Sequence, residues 1–309
     1  MRSLRAAVGD YLSLRRGLGF KLLRHEKCLR EFASFLKDKG SSRISTQLAL
    51  QFATRHPHHK PAEWAIRLAI VRQFAGYRSG TDPTTEVPPR GLFPRRSQRA
   101  QPYLYSDDEI RQLLQAAKSL PSMSSLRPWT YYCLFGLLAV TGMRIGEAVN
   151  LQSQDVDWSQ GLLTIRDAKF GKCRLVPLHI STQKMLAKYV KHRDQFFAGR
   201  PVDHFFVSGR GNRLHSSDIH RIFYVLSRQI GLRGADASHG PRLHDFRHRF
   251  AVETLTRWYR TGEDVAQRLP ALSTYLGHVC VTNTYWYFTN TPELMGAAGK
   301  RLEKRWKGI

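Results

Sequence analysis

The sequence predicts a mainly α-helical chain in two domains, the second carrying a small antiparallel β-sheet or hairpin. Three observations lead there. Apolar residues recur at helical spacing through most of positions 1–79. A stretch dominated by proline, glycine and arginine, GTDPTTEVPPRGLFPRRSQRAQ, breaks that period at 80–101. Beyond it, GLLTIRDAK and KCRLVPL flank a turn at Phe170-Gly171 and read as two paired strands, while the remaining segments read as helix.

Taken in order, LRAAVGDYLSLRRGLGF, HEKCLREFASFLKDKG, STQLALQFATRH and AEWAIRLAIVRQFAGYRSG are expected to form four short basic helices. Gly40 closes the second after a Lys-rich end, and Ser45 opens the third. Residues 80–101 form a basic linker suited to lie over phosphates. The second domain spans 102–309. Ser106 is an N-cap ahead of DDEIRQLLQAA, whose acidic first turn favours the positive end of the helix dipole. WTYYCLFGLLAVTG is expected to form a helix, and its segment CLFGLLAV is too short to span a bilayer and reads as buried. After the hairpin the chain is expected to be helical, with turns at Gly231–Gly240 and at Pro270 and a C-terminal tail helix.

Charge is the strongest bulk signal. The 309 residues hold 49 Lys and Arg against 24 Asp and Glu, a net charge of +25. Such an excess repels itself unless a polyanion neutralises it. The first 100 residues alone hold 20 basic against 7 acidic residues, so both domains are expected to face that polyanion. Nucleic acid is the commonest partner of this kind. Cys28, Cys133, Cys173 and Cys280 show no CxxC or Cys/His metal spacing. That fits a reduced, cytoplasmic location without a disulfide framework. The first 20 residues have no apolar leader core, and no membrane partner is expected.

Three islands stand out in the second domain. TGMRIGEAVNL sets Arg144 and Glu147 three residues apart, after a glycine that frees the backbone. HDFRHRFA places His244 and Arg247 at the same spacing. An arginine fork suits two phosphate oxygens, and a histidine beside it can donate or accept a proton near neutral pH. LGHVCVTNTYWYF holds His278 after Gly277, then Tyr285 and Tyr287. Singly, each island also fits an ion pair, a solvated helix start or an aromatic core.

Together, in the order arginine, hairpin lysine, HxxR, LGH and tyrosine, they resemble the catalytic domain of the tyrosine recombinase (phage integrase) family over most of residues 103–290. The phrase VTNTYWYFTNTPEL is similar to the nucleophile helix of integrases from bacterial mobile elements. The helical region 1–79 resembles the family's core-binding, SAM-like DNA-binding domain. The resemblance implies a catalytic set of Arg144, Lys169, His244, Arg247, His278 and the nucleophile Tyr287, supported by Glu147. The hairpin turn is shorter than the family's common form, which leaves Lys172 as a rival to Lys169. Tyr285 rivals Tyr287, and positions two apart on a helix point about 200° apart, so only one of them can face a phosphate.

The resemblance also implies the chemistry. Tyr287 attacks a DNA phosphodiester and forms a 3′-phosphotyrosyl link. Arg144, Arg247 and His278 stabilise the charge that builds on the non-bridging oxygens. His244 acts as base, and Lys169 gives a proton to the leaving 5′-hydroxyl. No cofactor or metal is expected, since the arginines serve as the electrophile. The implied partners are double-stranded DNA recombination sites and a homo-tetramer on paired sites, or a hetero-oligomer with related recombinases. The implied location is bacterial and nucleoid-associated. A C-terminal helix would put Leu302 and Trp306 on one side, to pack either on a neighbouring subunit or on its own domain. A type IB topoisomerase and a non-catalytic DNA-binding partner of another recombinase are the alternatives.

Overall fold

The computed structural model of the chain describes residues 3–93, 101–122, 125–168, 172–237, 239–288 and 292–307. It divides into two compact units, 1–100 and 101–309.

The first unit holds four helices: α1 (Leu4–Gly17), α2 (Leu23–Asp38), α3 (Thr46–Thr54) and α4 (Pro61–Arg78). Their ends follow local chemistry. The hydroxyls of Ser3 and Ser45 accept the Ala6 and Leu48 amides, each at 3.2 Å. Pro61 fills the first turn of α4, where its missing N–H costs nothing. Gly40, at φ 66°, turns the chain out of α2. Leu29, Phe32, Phe52 and Phe74, fully buried, form the core. The Pro-rich stretch begins tied to these helices. The Glu86 amide donates to Ile44 O at 2.9 Å, and Arg72 forks onto Pro88 O and Pro89 O.

The second unit is built around α6 (Leu126–Thr141), which is buried on nearly every side, as its apolar sequence predicts. Beside it lies α5 (Asp107–Lys118), opened by a full capping box. Ser106 Oγ accepts the Glu109 amide at 3.1 Å, and Glu109 returns the bond to the Ser106 amide at 2.7 Å. The short α7 (Ile145–Asn150) leads to an antiparallel sheet in the order β1 (Val156–Asp157), β2 (Leu162–Ala168), β3 (Lys172–Pro177). Leu163 faces Val156 on one side and Val176 on the other. The turn Phe170-Gly171 and Lys169 lie outside the described residues. Then come α8 (Ile180–Phe196), α9 (Ser216–Gln229), α10 (Asp245–Arg260), α11 (Val265–Leu276), α12 (Thr282–Tyr285) and α13 (Pro292–Lys307).

One expectation is corrected here. Pro270 does not mark a turn; it sits inside α11. A proline there gives up one intrahelical bond. The buried Leu269, Leu272 and Leu276 hold the helix against α10 regardless. The tail helix α13 packs on its own domain through Leu294, which is fully buried, while Leu302 and Trp306 remain 58% and 78% exposed.

Among the described residues no helix is long and apolar enough to cross a membrane. Cys28 and Cys133 are buried and Cys173 and Cys280 exposed, all as free thiols. The capping box gives a direct test of local stability. Ser106→Ala should lower the unfolding free energy of the second unit by about 1 kcal/mol, read as a shifted urea midpoint with unchanged slope.

Candidate functional site

The site is assembled where three chain segments end. Helix α6 stops at Gly142, whose φ of 60° is left-handed. A Cβ there would come 2.8 Å from the Phe250 ring, so only glycine lets the chain turn this tightly. Two residues on, Arg144 caps α7. Its amide donates to Glu147 Oε2 at 2.8 Å. Its guanidinium donates to Glu147 Oε1 at 2.8 Å and to Gly277 O at 2.9 Å.

Glu147 is buried, with a side chain 8% exposed, and it accepts a second arginine. Arg174 on β3 reaches both its oxygens, at 2.9 and 2.7 Å, and spends Nε on Tyr275 O at 2.6 Å. Burial alone raises the Glu147 pKa. The hydrogen bonds and charge of Arg174, then the amide and guanidinium hydrogen bonds of Arg144, outweigh it and hold the carboxyl below its ordinary range.

Helix α10 supplies the HxxR pair. Arg247 is 2% exposed and donates to Gly142 O at 3.0 Å and to Leu276 O. Burial pulls its pKa down to about 10; the Tyr287 side chain, which hydrogen-bonds it, opposes that shift. The guanidinium therefore stays charged at neutral pH. His244, one turn earlier, is exposed, and desolvation and then the Arg247 charge depress its pKa. The buried Asp245 between them is taken by Arg242, through its amide at 2.8 Å and its guanidinium.

Helix α11 ends at Gly277, again left-handed with φ 64°. A Cβ here would lie 2.9 Å from Arg174 Nη1 and 3.2 Å from Arg144 Nη1. The glycine of LGH is thus what lets two arginines close on the helix end. His278 follows, with Nδ1 2.8 Å from the hydroxyl of the buried Thr284. Burial, followed by the charges of Arg247, Arg144 and Arg174, pulls its pKa down to about 4. Tyr287 is 5% exposed and stacks on His278, ring centroids 6.0 Å apart at 21°. Tyr285 is 54% exposed and contacts Phe288 at the surface.

Arg144, Glu147, Arg247, His278 and Tyr287 therefore meet in one cluster, and His244 joins it through His248. The His248 ring lies 5.0 Å from His244 and 5.2 Å from Tyr287. Lys169 lies outside the described residues; Lys172 opens β3. Sequence reasoning missed Arg174, His248 and Thr284. The signal for the last two was present: His248 is one turn after His244, and Thr284 is one turn before Tyr287. Among the described residues no group of three or more His, Cys, Asp or Glu is placed to hold a metal ion.

A cluster of arginines and histidines around a buried tyrosine, on a helical domain with one small sheet, defines a class: tyrosine-dependent DNA strand-transfer enzymes. Residues 104–293 match the phage integrase family. The chain is 54% identical over 311 residues to y4rB, an integrase/recombinase by name, from Sinorhizobium fredii, with 99% of each chain covered. It is 27% identical over 221 residues to the tyrosine recombinase XerC of Chlamydia caviae, covering 72% of this chain and 65% of that one. Its fold is similar to that of the Tn1549 transposon integrase in complex with transposon right end DNA. The TM-score is 0.65 at 14% identity, covering 96% of this chain and 98% of that one. A lambda integrase tetramer bound to a Holliday junction aligns with TM-score 0.63 at 18% identity, over 93% and 77% of the two chains. The chain belongs to the phage integrase family, the tyrosine recombinases.

The depressed pKa values make stability depend on pH in two stages. For His244 and His278 the unfolded chain binds the proton first. Stability should fall as the pH drops below ~6.5, continuing to about 4 for His278. For Glu147, stability present above the ordinary carboxylate pKa of ~4.3 is lost as the pH falls through its lower native value. Urea midpoints of wild type and Glu147→Gln across this range check both stages. The variant should lose ~3 kcal/mol at neutral pH and lack the second stage. A midpoint that stays level from pH 7 to 5 would refute the histidine stage.

Proposed function

We propose that the chain is a site-specific recombinase that cuts and rejoins duplex DNA through a 3′-phosphotyrosyl link at Tyr287, integrating, excising or transposing a mobile element. The observation that carries this reading is the pairing of Tyr287 with Arg247, with His278 stacked on its ring, while Tyr285 points to solvent.

In the proposed reaction the Tyr287 oxygen attacks phosphorus and the bond from phosphorus to the 5′-oxygen breaks. The phenol proton passes to His244, which is neutral at physiological pH because its pKa is depressed. Arg144 and Arg247 take the non-bridging oxygens, each charged and already oriented by carbonyls, so little reorganisation accompanies the attack. With the Thr284 hydroxyl donating to Nδ1, His278 carries its proton on Nε2 and adds a donor. Lys169 protonates the leaving 5′-oxygen. The link keeps the phosphodiester's energy, so the reverse attack by a 5′-hydroxyl rejoins the strand.

Residues 1–79 act as the core-binding DNA domain and 80–101 as the basic linker, consistent with 20 basic against 7 acidic residues in the first 100. The working form is a tetramer on paired DNA sites, in the bacterial nucleoid. The lambda integrase tetramer on a Holliday junction supports that assembly. So do Leu302 and Trp306, an apolar pair left exposed on α13.

Two experiments test the reading. A nicked duplex carrying a candidate element end, incubated with chelator, should yield a denaturation-resistant protein–DNA adduct. Tyr285→Phe should keep the adduct, and Tyr287→Phe should lose it while binding the same DNA. Loss in Tyr285→Phe alone would move the nucleophile. Tight binding without any adduct in the wild type would favour a non-catalytic DNA-binding protein, and relaxation of a plasmid lacking the site would favour a topoisomerase. Separately, deletion of 296–309 spares Leu294 and should weaken assembly on DNA but not monomer folding. Unchanged assembly would overturn any role of Leu302 and Trp306 in joining subunits.

A further inference from the structure

Tyr287 lies just past α12, a helix of a single turn. Its amide donates to Thr284 O at 3.1 Å, and the Phe288 amide donates to Tyr285 O at 3.0 Å. A turn this short is not stable by its own hydrogen bonds, so the direction of the Tyr287 ring depends on what it packs against.

Three side chains meet that ring. Arg247 hydrogen-bonds the Tyr287 side chain. His278 lies nearly parallel to it, with centroids 6.0 Å apart at 21°. His248 meets it nearly at right angles, 5.2 Å away at 70°. Arg247 and His278 already have work in the proposed reaction; His248 has none. It comes from the body of α10, a helix of 16 residues anchored by the buried Ala251, Val252 and Leu255. Its own ring is buried and touches two more: His244, one turn earlier, at 5.0 Å and 86°, and Trp286 at 5.1 Å and 51°. Two consecutive residues of the turn thus rest on one imidazole. An edge-to-face contact fixes the angle between two rings as well as their separation.

We propose that His248 is a positioning residue for strand cleavage: its ring carries the rigidity of α10 to the turn and sets the direction in which Tyr287 presents its oxygen. The role rests on the reading of Tyr287 as nucleophile. It requires a flat ring at position 248 and no proton transfer there.

The test uses the full-length chain and the nicked duplex of the adduct assay, under single-turnover conditions, with DNA affinity measured for each variant. His248→Ala should form the adduct ~10- to 100-fold more slowly at unchanged DNA affinity, the loss expected for a nucleophile displaced by about an ångström. His248→Gln, polar but without a ring, should be as slow. His248→Phe, which restores a flat ring, should return to within roughly threefold of wild type. A second readout is the Tyr287 ring in the DNA-free chain, made with isotope-labelled tyrosine and assigned by its loss in Tyr287→Phe. Its resonances should move and its ring flips quicken in His248→Ala and His248→Gln, and stay close to wild type in His248→Phe. If His248→Ala does not fold, the comparison of His248→Gln with His248→Phe decides. Adduct formation at the wild-type rate in the ringless variants, or a His248→Phe as slow as they are, would overturn the proposal. A wild type without adduct, or an adduct that survives Tyr287→Phe, would instead sink the reading of Tyr287. The ring resonances then decide on the contact alone, and unchanged resonances in the ringless variants would overturn it.

Discussion

One buried carboxylate organises the catalytic unit. Glu147 accepts a main-chain N–H and two guanidinium groups, and each guanidinium reaches on to a carbonyl at the end of α11: Arg174 to Tyr275 and Arg144 to Gly277. Arg247 ties the same helix end from the other side, through Leu276 O, and joins it to the end of α6 through Gly142 O. The last carbonyls of a helix lack intrahelical partners and carry the negative end of its dipole. Three arginines are thus held by groups the helices leave open, and a strand, two helix ends and a helix start are locked into one body. Removing the carboxylate would leave Arg174, itself only 7% exposed in its side chain, without its charge partner.

The same packing sets the electrostatics. Three guanidiniums face one carboxylate, so the cluster is short of negative charge. Its histidines respond by giving up their protons, as the direction of both shifts shows, with burial first and the arginine charges after it. The site therefore sets imidazoles with depressed pKa values beside guanidiniums. An arginine side chain in general keeps its charge across the neutral range, and a neutral imidazole can accept a proton. An anionic group would balance the charge of such a site.

Much of this was legible in the sequence because each island carries its own local geometry. Gly142, two positions before Arg144, and Gly277, directly before His278, mark left-handed turns, and Ser106 ahead of an acidic first turn marks a helix start. The all-apolar run of α6 could only be buried. What could not be read was pairing across distance. Arg174 looks like one more basic residue on a strand, in a chain with 49 of them, and its role depends on Glu147, which lies 27 positions earlier and on a different element. The brief strand β1 has too few residues to show a period. Pro270 misled because a local rule against proline in helices was outweighed by leucines around it that bury one face.

The two tyrosines that spacing leaves as rivals differ sharply in burial, Tyr287 being 5% and Tyr285 54% exposed. Thr284 and Tyr287 are one turn apart and share the buried side of the segment after α11, where Thr284 holds His278 and Tyr287 meets Arg247. Tyr285 falls on the opposite side, as the helical angle requires. The buried side is also the apolar cluster of α10 and α11 into which α13 inserts Leu294. Tyr287 and the tail helix therefore share one packing environment. Tyr287 and Leu294 of α13 lie in one buried cluster, so a force that draws α13 off α10 acts on the cluster that holds the tyrosine.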